Sequence, residues 1–388
     1  MHEMRVLFST IKGGLNGGAN IASFFLIQDL KRRGVDVHVA VQKGDFWDRL
    51  NETGVPCYEV KKIPFFAWPR ILNWKYLVLW PYSMFMVLYW NWRSTRRMVD
   101  VIRRVKPDFV ETCNSPTLYG FFAANITKTP HIWHLREFLG LNVDINVLPN
   151  NRYFFRHWLP KSYTISITQE VRTYFGCTNP KKDFVVTDGV MHENEIQYIE
   201  EKGNYYLFVG WVDQSKGCDD LIDAFIIYAQ KHKENELWLA GKYSDDYKKE
   251  LEQRIRNSNI SIDRIRFLGF RSDRYLLMAK AQATIVPSQL EGFGFITVEA
   301  MMNGCIVIGR NTGGTKMIME RAKGCELPFD TTLQMALCME EVQIKGSRFY
   351  KDRIIRAQKV AQHDFSIERC GLEVLEIYEK LAKQNKHV

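Results

Sequence analysis

The feature of this sequence that most constrains its fold is an alternation of short apolar runs with amphipathic stretches. The run from Arg5 to Ser9 is suited to a buried strand, and a glycine-rich loop follows it. Residues 19–33 then carry apolar side chains at helical spacing, Gly34 ends that pattern, and residues 35–41 alternate apolar and polar side chains. This strand–loop–helix–strand order is typical of a parallel α/β sheet.

The alternation continues through the first half of the chain and begins again near Tyr205. The further runs that predict strands are 107–112, 131–135, 163–167, 183–186, 206–210, 236–240, 265–268, 283–286 and 306–308. We therefore expect an α/β protein with two Rossmann-like, doubly wound domains, at 1–193 and 194–365, which face each other across a ligand cleft. A long amphipathic helix is predicted within the C-terminal residues 366–388.

The positive charge of the chain is concentrated in one segment. The net charge is +9 at pH 7, and between Lys61 and Lys106 ten basic residues stand against one acid, so this segment carries the whole excess. It also holds five of the ten tryptophans. Such a segment predicts an anionic partner, either membrane headgroups or nucleic acid. The 46% hydrophobic and 25% charged content otherwise argues against collagen, coiled-coil, disordered and multi-span membrane classes.

The cysteines and the first residues bear on the compartment. No two of the eight cysteines lie within four residues of each other, so no zinc or redox motif is visible, and several read as small buried hydrophobic residues. The start of the chain has no apolar run of signal-peptide type. We expect a protein of the reducing cytoplasm.

The most specific motif is the stretch from Pro287 to Gly304. An apolar strand ends at Val286, and a loop broken by Gly292 and Gly294 leads directly into a helix. The start of a helix exposes unpaired backbone N–H groups that bind phosphate or sugar hydroxyls. Two carboxylates, Glu291 in the loop and Glu299 in the helix, have the chemistry to accept hydrogen bonds from vicinal diols.

A second motif joins a strand to a helix through a lysine. Phe208 to Gly210 ends an apolar run, and Lys216 and Gly217 precede the next helical pattern. A lysine beside a helix start is a possible anion ligand, although most surface lysines have no such role.

Together these motifs resemble the retaining glycosyltransferases of family 4, which have the GT-B fold. Glu291 and Glu299 match that family's E-x7-E motif, and Gly210, Lys216 and Gly217 match its G-R-x4-K-G segment except at the arginine. The other similar segments are the glycine-rich loop 13–18, the nucleotide-base loop 265–270, the glycine pair 313–314 and the final helix, which in the family packs back on the first domain.

The resemblance implies a role for each matching residue. Glu291 is expected to hold the transferred hexose as a catalytic residue, Glu299 the ribose of the donor, and Lys216 its diphosphate. The donor would be a UDP- or GDP-linked sugar, with no cofactor and no metal. The remaining residues implied in donor binding are Gly17, Gly18, Gly292, Phe293, Gly294, Phe295, Phe270 and Arg271.

The sequence departs from the family pattern at three places, one of which is that Thr315 follows the glycine pair where an acid is often found. Trp211 replaces the arginine that precedes the lysine, so another cation must hold the phosphates; the candidates are Arg271, Lys242 and Arg310. Many family members also have a histidine that faces the sugar, at the end of a strand of the first domain. Here Arg136 takes that place and His134 lies two residues earlier, so we predict both as catalytic residues.

The aromatic and basic segment allows two interpretations. Residues 76–92 carry no charge, but Pro81 interrupts them, so a helix that starts there and runs to about Val105 is favoured over a membrane span. This helix is either an ordinary sheet-covering helix with a solvated basic face or a surface that docks on an anionic membrane. The residues predicted for docking are Trp68, Trp74, Trp80, Trp90, Trp92, Arg93, Arg96 and Arg97.

These observations predict a cytoplasmic glycosyltransferase at the inner face of the membrane. It would transfer a hexose to a saccharide acceptor, lipid-linked in our reading, in surface polysaccharide biosynthesis. The alternatives are a non-catalytic sugar-nucleotide binder, which Trp211 favours, and a GT-B sugar-nucleotide epimerase. Dinucleotide binding is disfavoured because the loop 13–18 lacks G-x-G-x-x-G spacing, and no recognised nucleic-acid module surrounds the basic segment.

Overall fold

The fold was analysed in a computed structural model that describes residues 4–10, 18–63, 65–69, 78–141, 145–323 and 326–385. The chain divides into two units, one formed by Met1–Gly189 with Ile367–Val388 and the other by Val190–Ser366. Each unit contains one parallel sheet covered by helices, so the predicted pair of Rossmann-like α/β domains is confirmed.

Unit 1 contains a seven-stranded sheet in the order β3-β2-β1-β4-β5-β6-β7. Its strands are β1 (Arg5–Ser9), β2 (Asp36–Val41), β3 (Cys57–Glu59), β4 (Phe109–Thr112), β5 (His131–Leu135), β6 (Tyr163–Ser166) and β7 (Asp183–Val185). Its helices are α1 (Gly18–Arg32), α2 (Asp45–Glu52), α3 (Trp80–Val105), α4 (Tyr119–Thr127) and α5 (Gln169–Tyr174), with short helical turns at 151–161, and α12 (Ile367–Asn385) at the end of the chain.

The C-terminal helix α12 belongs to unit 1 and packs against α1. Val374 and Tyr378 lie in one buried cluster with Val6 and Leu26. A side chain at Gly371 would overlap the carboxylate of Asp29, so only glycine allows the two helices to approach this closely at that point.

Unit 2 contains a six-stranded sheet in the order β10-β9-β8-β11-β12-β13. Its strands are β8 (Tyr205–Val209), β9 (Glu236–Ala240), β10 (Ile265–Gly269), β11 (Ala283–Val286), β12 (Val307–Arg310) and β13 (Glu326–Phe329). Its helices are α6 (Cys218–Ala229), α7 (Asp245–Arg256), α8 (Arg274–Lys280), α9 (Phe295–Met302), α10 (Gly313–Ala322) and α11 (Thr332–Asp364), the last interrupted at Gly346, whose φ is 70°.

The sequence pattern missed the peripheral elements. Strand β3 has three residues and β13 contains Pro328, so neither shows the apolar run or the alternation by which strands were predicted. The helix predicted to begin at Pro81 is confirmed as α3, and its apolar side chains Met98, Val101 and Ile102 are buried as expected.

Candidate functional site

The carboxyl edge of the second sheet brings the two main motifs together. Strands β8 and β11 are neighbours, with Ala283 paired to Tyr206, so the loops that follow them lie side by side. As a result Lys216 Nζ donates to Glu291 Oε1 over 2.8 Å, although 75 residues separate them. Their side chains remain 35% and 23% exposed. The predicted phosphate ligand and the predicted catalytic carboxylate therefore form one ion pair.

The loop that carries Glu291 is held by the glycine pair at the start of α10. The amide of Gly314 donates to the Glu291 carbonyl oxygen over 3.0 Å. A side chain at Gly314 would overlap the Phe293 carbonyl oxygen, and one at Gly313 would lie 2.5 Å from the Glu291 carbonyl oxygen. The pair is needed because the backbone of α10 meets the loop directly there. Phe293 is buried and packs edge-on against Phe295 at 5.2 Å, so the loop has an apolar support.

Helix α9 begins in the same loop without a side-chain cap. Gly294, its N-cap, has a φ of 109°, a left-handed conformation that suits glycine. The Thr297 amide donates to the Gly294 carbonyl oxygen over 3.0 Å, and among the described residues no side chain caps the first turn. The first amides of α9 therefore give this edge a partial positive charge near Glu291 and Gly292.

The second carboxylate of the motif is paired with an arginine that the sequence did not indicate. Glu299 accepts from Arg274 through both oxygens, from Nε and Nη2, each over 3.1 Å. Burial alone would lower the pKa of Arg274, but the Glu299 carboxylate outweighs it and the pKa is raised. Arg274 lies at the start of α8 in an ordinary amphipathic pattern, so only the packing of α8 on α9 reveals its role.

The structure distinguishes among the three cations proposed to compensate for Trp211. Arg271 donates to both carboxylate oxygens of Asp273, over 2.7 and 2.6 Å. Arg310 is paired with Asp220 and donates to the Pro287 carbonyl oxygen over 2.9 Å. Lys242 is exposed, and within the part of the chain that the structure describes no side-chain partner is recorded for it.

The register of the sheet places Lys242 beside Trp211. Val209 pairs with Ala240 and Val212 with Tyr243, so the intervening Trp211 lies opposite Lys242. The Val212 amide donates to the Lys242 carbonyl oxygen over 2.9 Å, which continues the ladder beyond both strands. Side chains at paired positions of neighbouring strands leave the same face of the sheet. Trp211 is 51% exposed at this point.

Unit 1 holds the other predicted catalytic residues in a buried charged cluster. His134 Nδ1 and Glu111 Oε1 are 2.9 Å apart, and Arg136 Nε donates to the two Asp188 oxygens over 3.1 and 3.0 Å. The Tyr378 hydroxyl of α12 donates to the other oxygen of Glu111. None of the side chains of His134, Glu111, Arg136 and Asp188 is more than 2% exposed. The roles of His134 and Arg136 toward a sugar stay predictions.

Burial and ion pairing determine the pKa values of Arg136 and of the nearby His131. Burial alone would lower the pKa of Arg136, but the Asp188 carboxylate outweighs it, so the pKa is raised and the guanidinium stays charged. Burial lowers the pKa of His131, at the start of β5, to about 3. His131 is therefore neutral at physiological pH and bridges the Thr112 and Ser162 hydroxyls, each over 2.8 Å.

Some of the predicted site residues lie outside the described ranges, and others are part of a helix or exposed to solvent. The loop 11–17, including Gly17, and Trp74 are not among the described residues, while Gly18 begins α1. Phe270, from the predicted base loop of unit 2, is 70% exposed.

Helix α3 presents an unusual outer face. In its first half the exposed side chains are apolar and follow helical spacing; they are Tyr82, Phe85, Leu88 and Trp92, which we call the aromatic face. Arg96, four residues after Trp92, continues this face, and the exposed Arg93 and Arg97 lie beside it on the helix. Trp68 is 43% exposed and stacks on Trp80 at 5.8 Å. Among the described helices, none is both long and apolar enough to cross a membrane.

Comparison with known proteins agrees with this architecture. Residues 192–334 match the family model described as glycosyl transferases group 1. The chain is 28% identical over 270 residues to an uncharacterized glycosyltransferase of Methanocaldococcus jannaschii, covering 68% of this chain and 72% of that one.

Solved glycosyltransferase structures share the fold. HepE of Anabaena, in complex with UDP and glucose, superposes with a TM-score of 0.73 at 20% identity, covering 96% of this chain and 99% of that one. A glycosyltransferase of Rickettsia africae gives a TM-score of 0.77 at 16% identity, covering 98% and 99%. The fold is thus that of the GT-B glycosyltransferases. Within it, unit 2 contains a glycosyltransferase group 1 domain.

Proposed function

We propose that this protein is a retaining glycosyltransferase that moves a hexose from a nucleotide-diphospho-sugar to a saccharide acceptor. The acceptor is lipid-linked, and the reaction serves surface polysaccharide assembly, such as capsule, O-antigen or exopolysaccharide, at the cytoplasmic face of the membrane. The observation that carries the proposal is the Lys216–Glu291 pair beside the uncapped start of α9, in the group 1 domain. The similar fold of HepE, solved with UDP and glucose, supports a UDP-linked donor.

The ion pair supplies a switch for donor binding. An arriving diphosphate offers Lys216 a more highly charged partner than one carboxylate, so Lys216 turns to the phosphates and Glu291 is released toward the sugar. The exchange is easy because both side chains are partly exposed, at 35% and 23%, and such pairs contribute only about 0–1 kcal/mol.

The transfer then proceeds on one face of the sugar. The bond between the anomeric carbon and the phosphate oxygen breaks, the acceptor oxygen bonds to that carbon, and the acceptor proton passes to the departing phosphate oxygen. Glu291 stabilises the positive charge that develops on the sugar ring, while Lys216 and the α9 amides stabilise the negative charge of the leaving diphosphate. No metal ion enters this proposal.

Lys242 supplies the cation that Trp211 does not. A diphosphate needs more than one positive partner, and Arg271, Arg274 and Arg310 are already paired with carboxylates. Lys242 is exposed, lies opposite Trp211 in the register and has a flexible stem that reaches along the sheet edge. In this proposal the second phosphate ligand is Lys242, which follows β9, and not the residue at position 211, which follows β8.

The aromatic face of α3 serves the acceptor side. Tyr and Trp side chains favour the headgroup level of a bilayer, and basic residues near an anionic surface contribute ~1 kcal/mol each. An apolar face that continues into arginines on one exposed side of a helix fits a peripheral membrane site, where a lipid-linked acceptor is met.

Product analysis tests the proposal against its rivals. Thermal-shift screening of the full chain with UDP-, GDP- and ADP-hexoses identifies the donor. The same donor is then incubated with membrane-extracted lipid-linked saccharides, and the product is analysed by mass spectrometry and NMR at the anomeric carbon. A glycoside with retained configuration is expected. A free epimerised donor would indicate an epimerase, and tight binding without any product would indicate the non-catalytic binder that Trp211 favours.

A further inference from the structure

Unit 1 contains a cavity beside the aromatic face of α3 that the donor chemistry does not use. Its volume is about 370 Å³. Its two walls are the segment 59–62, which begins at the last residue of β3, and the middle of α3 from Trp90 to Asp100. Every part of it lies within unit 1 and within the described residues.

The cavity has a strong excess of positive charge. Five cations line it, Lys61, Lys62, Arg93, Arg96 and Arg97, against the two carboxylates of Glu59 and Asp100, so the formal charge is +3. Among the described residues none of these five cations has a carboxylate partner, while Glu59 is itself paired with Lys43, 3.6 Å away. Unpaired cations that share one concave surface repel each other unless an anion binds between them.

Hydrogen bonds join the two walls and fix their positions relative to each other, so the cavity has a defined shape. The Ser94 hydroxyl donates to the Lys62 carbonyl oxygen over 2.6 Å, and Arg97 Nε donates to the Glu59 carbonyl oxygen over 3.3 Å. Ser94 is buried, so its bond is shielded from water.

Two tryptophans orient the cations. Lys62 Nζ lies 4.8 Å from the Trp90 ring centroid, and the Arg96 guanidinium lies 5.0 Å from that of Trp92. Such contacts hold a cation in place without neutralising its charge. Trp92 also belongs to the aromatic face, so the cavity and the apolar surface are continuous.

We infer that this cavity binds the headgroup phosphate of an anionic phospholipid. The ligand must be anionic because of the +3 lining, and it must be attached to apolar chains because the cavity opens beside exposed apolar side chains that favour the bilayer interface. This inference rests on the membrane docking in the proposed function and deepens it: a defined phosphate site replaces diffuse attraction to a charged surface.

The test compares two double variants that remove equal charge from the same helix. Arg93→Gln with Arg97→Gln changes the cavity, while Arg103→Gln with Arg104→Gln removes two exposed arginines outside it. Flotation with phosphatidylcholine vesicles, with and without phosphatidylglycerol, measures binding of the full chain. We expect the cavity variant to lose about tenfold more affinity for phosphatidylglycerol vesicles than the control, because it loses directed charged hydrogen bonds as well as general attraction.

The possible outcomes separate this inference from the proposed function. Equal losses in the two double variants would overturn the cavity and leave membrane docking intact. If the wild-type protein does not bind phosphatidylglycerol vesicles, both the lipid site in the cavity and the membrane docking are overturned. Glycosyl transfer to a detergent-solubilised acceptor is measured separately and tests the enzymatic activity. Preference for a DNA duplex over phosphatidylglycerol vesicles would overturn the inference and identify a different anion. If the cavity variant is less stable than wild type, Lys62→Met in the opposite wall takes its place.

Discussion

The two sheets carry charged clusters at their carboxyl edges, and the clusters differ in burial. In unit 1 the Arg136–Asp188 pair is at most 2% exposed, and its charges are enclosed by protein on all sides. In unit 2 the Lys216–Glu291 pair is 35% and 23% exposed. A buried pair cannot exchange its partner without leaving an unpaired charge, at a cost of about 3–5 kcal/mol, while a partly exposed pair exchanges for about 0–1 kcal/mol.

The difference suggests a division of labour. The charges of unit 1 fix the geometry of β4, β5 and α12, since Tyr378 connects the cluster to the C-terminal helix. The charges of unit 2 are suited to rearrange around an anionic ligand. The following predictions test this contrast, beginning with the largest expected effect.

The largest effect is expected from breaking the buried pair. Arg136→Met removes the bidentate partner of the buried Asp188 and leaves it only His134 Nε2, 3.7 Å away, so it should lower the free energy of unfolding by about 3–5 kcal/mol. Lys216→Met, the matched change in unit 2, should lower it by less than about 1 kcal/mol. Denaturant unfolding followed by circular dichroism measures both. Similar losses in the two variants would remove the contrast.

The partly exposed Lys216–Glu291 pair is expected to increase turnover through its carboxylate. Glu291→Ala removes the carboxylate that we propose faces the developing positive charge, so turnover should fall roughly 100- to 1,000-fold. Donor affinity should survive, because Lys216 is freed for the phosphates. Steady-state kinetics and calorimetry measure the two quantities, and Glu291→Gln serves as the variant of unchanged size. Turnover near the wild-type value would remove Glu291 from the catalytic role.

Lys242 should contribute to donor affinity alone. Lys242→Met should weaken binding of the nucleotide diphosphate by ~2 kcal/mol, as for one lost charged hydrogen bond, and leave binding of the nucleoside unchanged. Adding Trp211→Arg should restore the affinity, because the two positions are opposite each other in the sheet. Lys249→Met, which changes an exposed lysine on α7, is the control. Calorimetry that finds Lys242→Met equal to this control would contradict the assignment.

Glu299 should show a comparable effect through the ribose. Glu299→Ala removes the carboxylate that we predict accepts hydrogen bonds from the ribose hydroxyls, and it should weaken donor binding by ~2 kcal/mol. It also leaves Arg274 without its bidentate partner. Arg274→Ala separates the two causes: it removes the pair but keeps the carboxylate, so donor affinity should be retained. Unchanged affinity in Glu299→Ala would exclude Glu299 from the site.

The last prediction concerns pH. Burial lowers the pKa of His131 from 6.5 to about 3, so below pH 6.5 the unfolded chain binds a proton that the folded chain does not. Stability should therefore fall with decreasing pH, by up to ~1.4 kcal/mol per pH unit from this group. His131→Gln should remove that share of the slope between pH 6.5 and 4. Parallel slopes for wild type and variant would show that His131 is protonated in the folded state.

The sequence by itself determined the fold class and the positions of the motifs. Apolar runs and helical spacing are local patterns, so they predicted two parallel α/β units, the start of α3 at Pro81 and the placement of Glu291 in a loop and Glu299 in a helix. Strands β3 and β13 were not predicted, because β3 is short and β13 contains proline. They are part of the sheets because they pair with the neighbouring strands β2 and β12.

Only the tertiary structure decided which charges meet. Lys216 reaches Glu291 because β8 and β11 are neighbours in the sheet, a crossover that no local pattern records. Likewise the burial of Arg136 with Asp188 and the pairing of Arg274 with Glu299 depend on strands and helices far apart in sequence. The physical reason is that side-chain periodicity follows from the backbone of one element, whereas ion pairing, burial and cavities follow from how elements are ordered and packed.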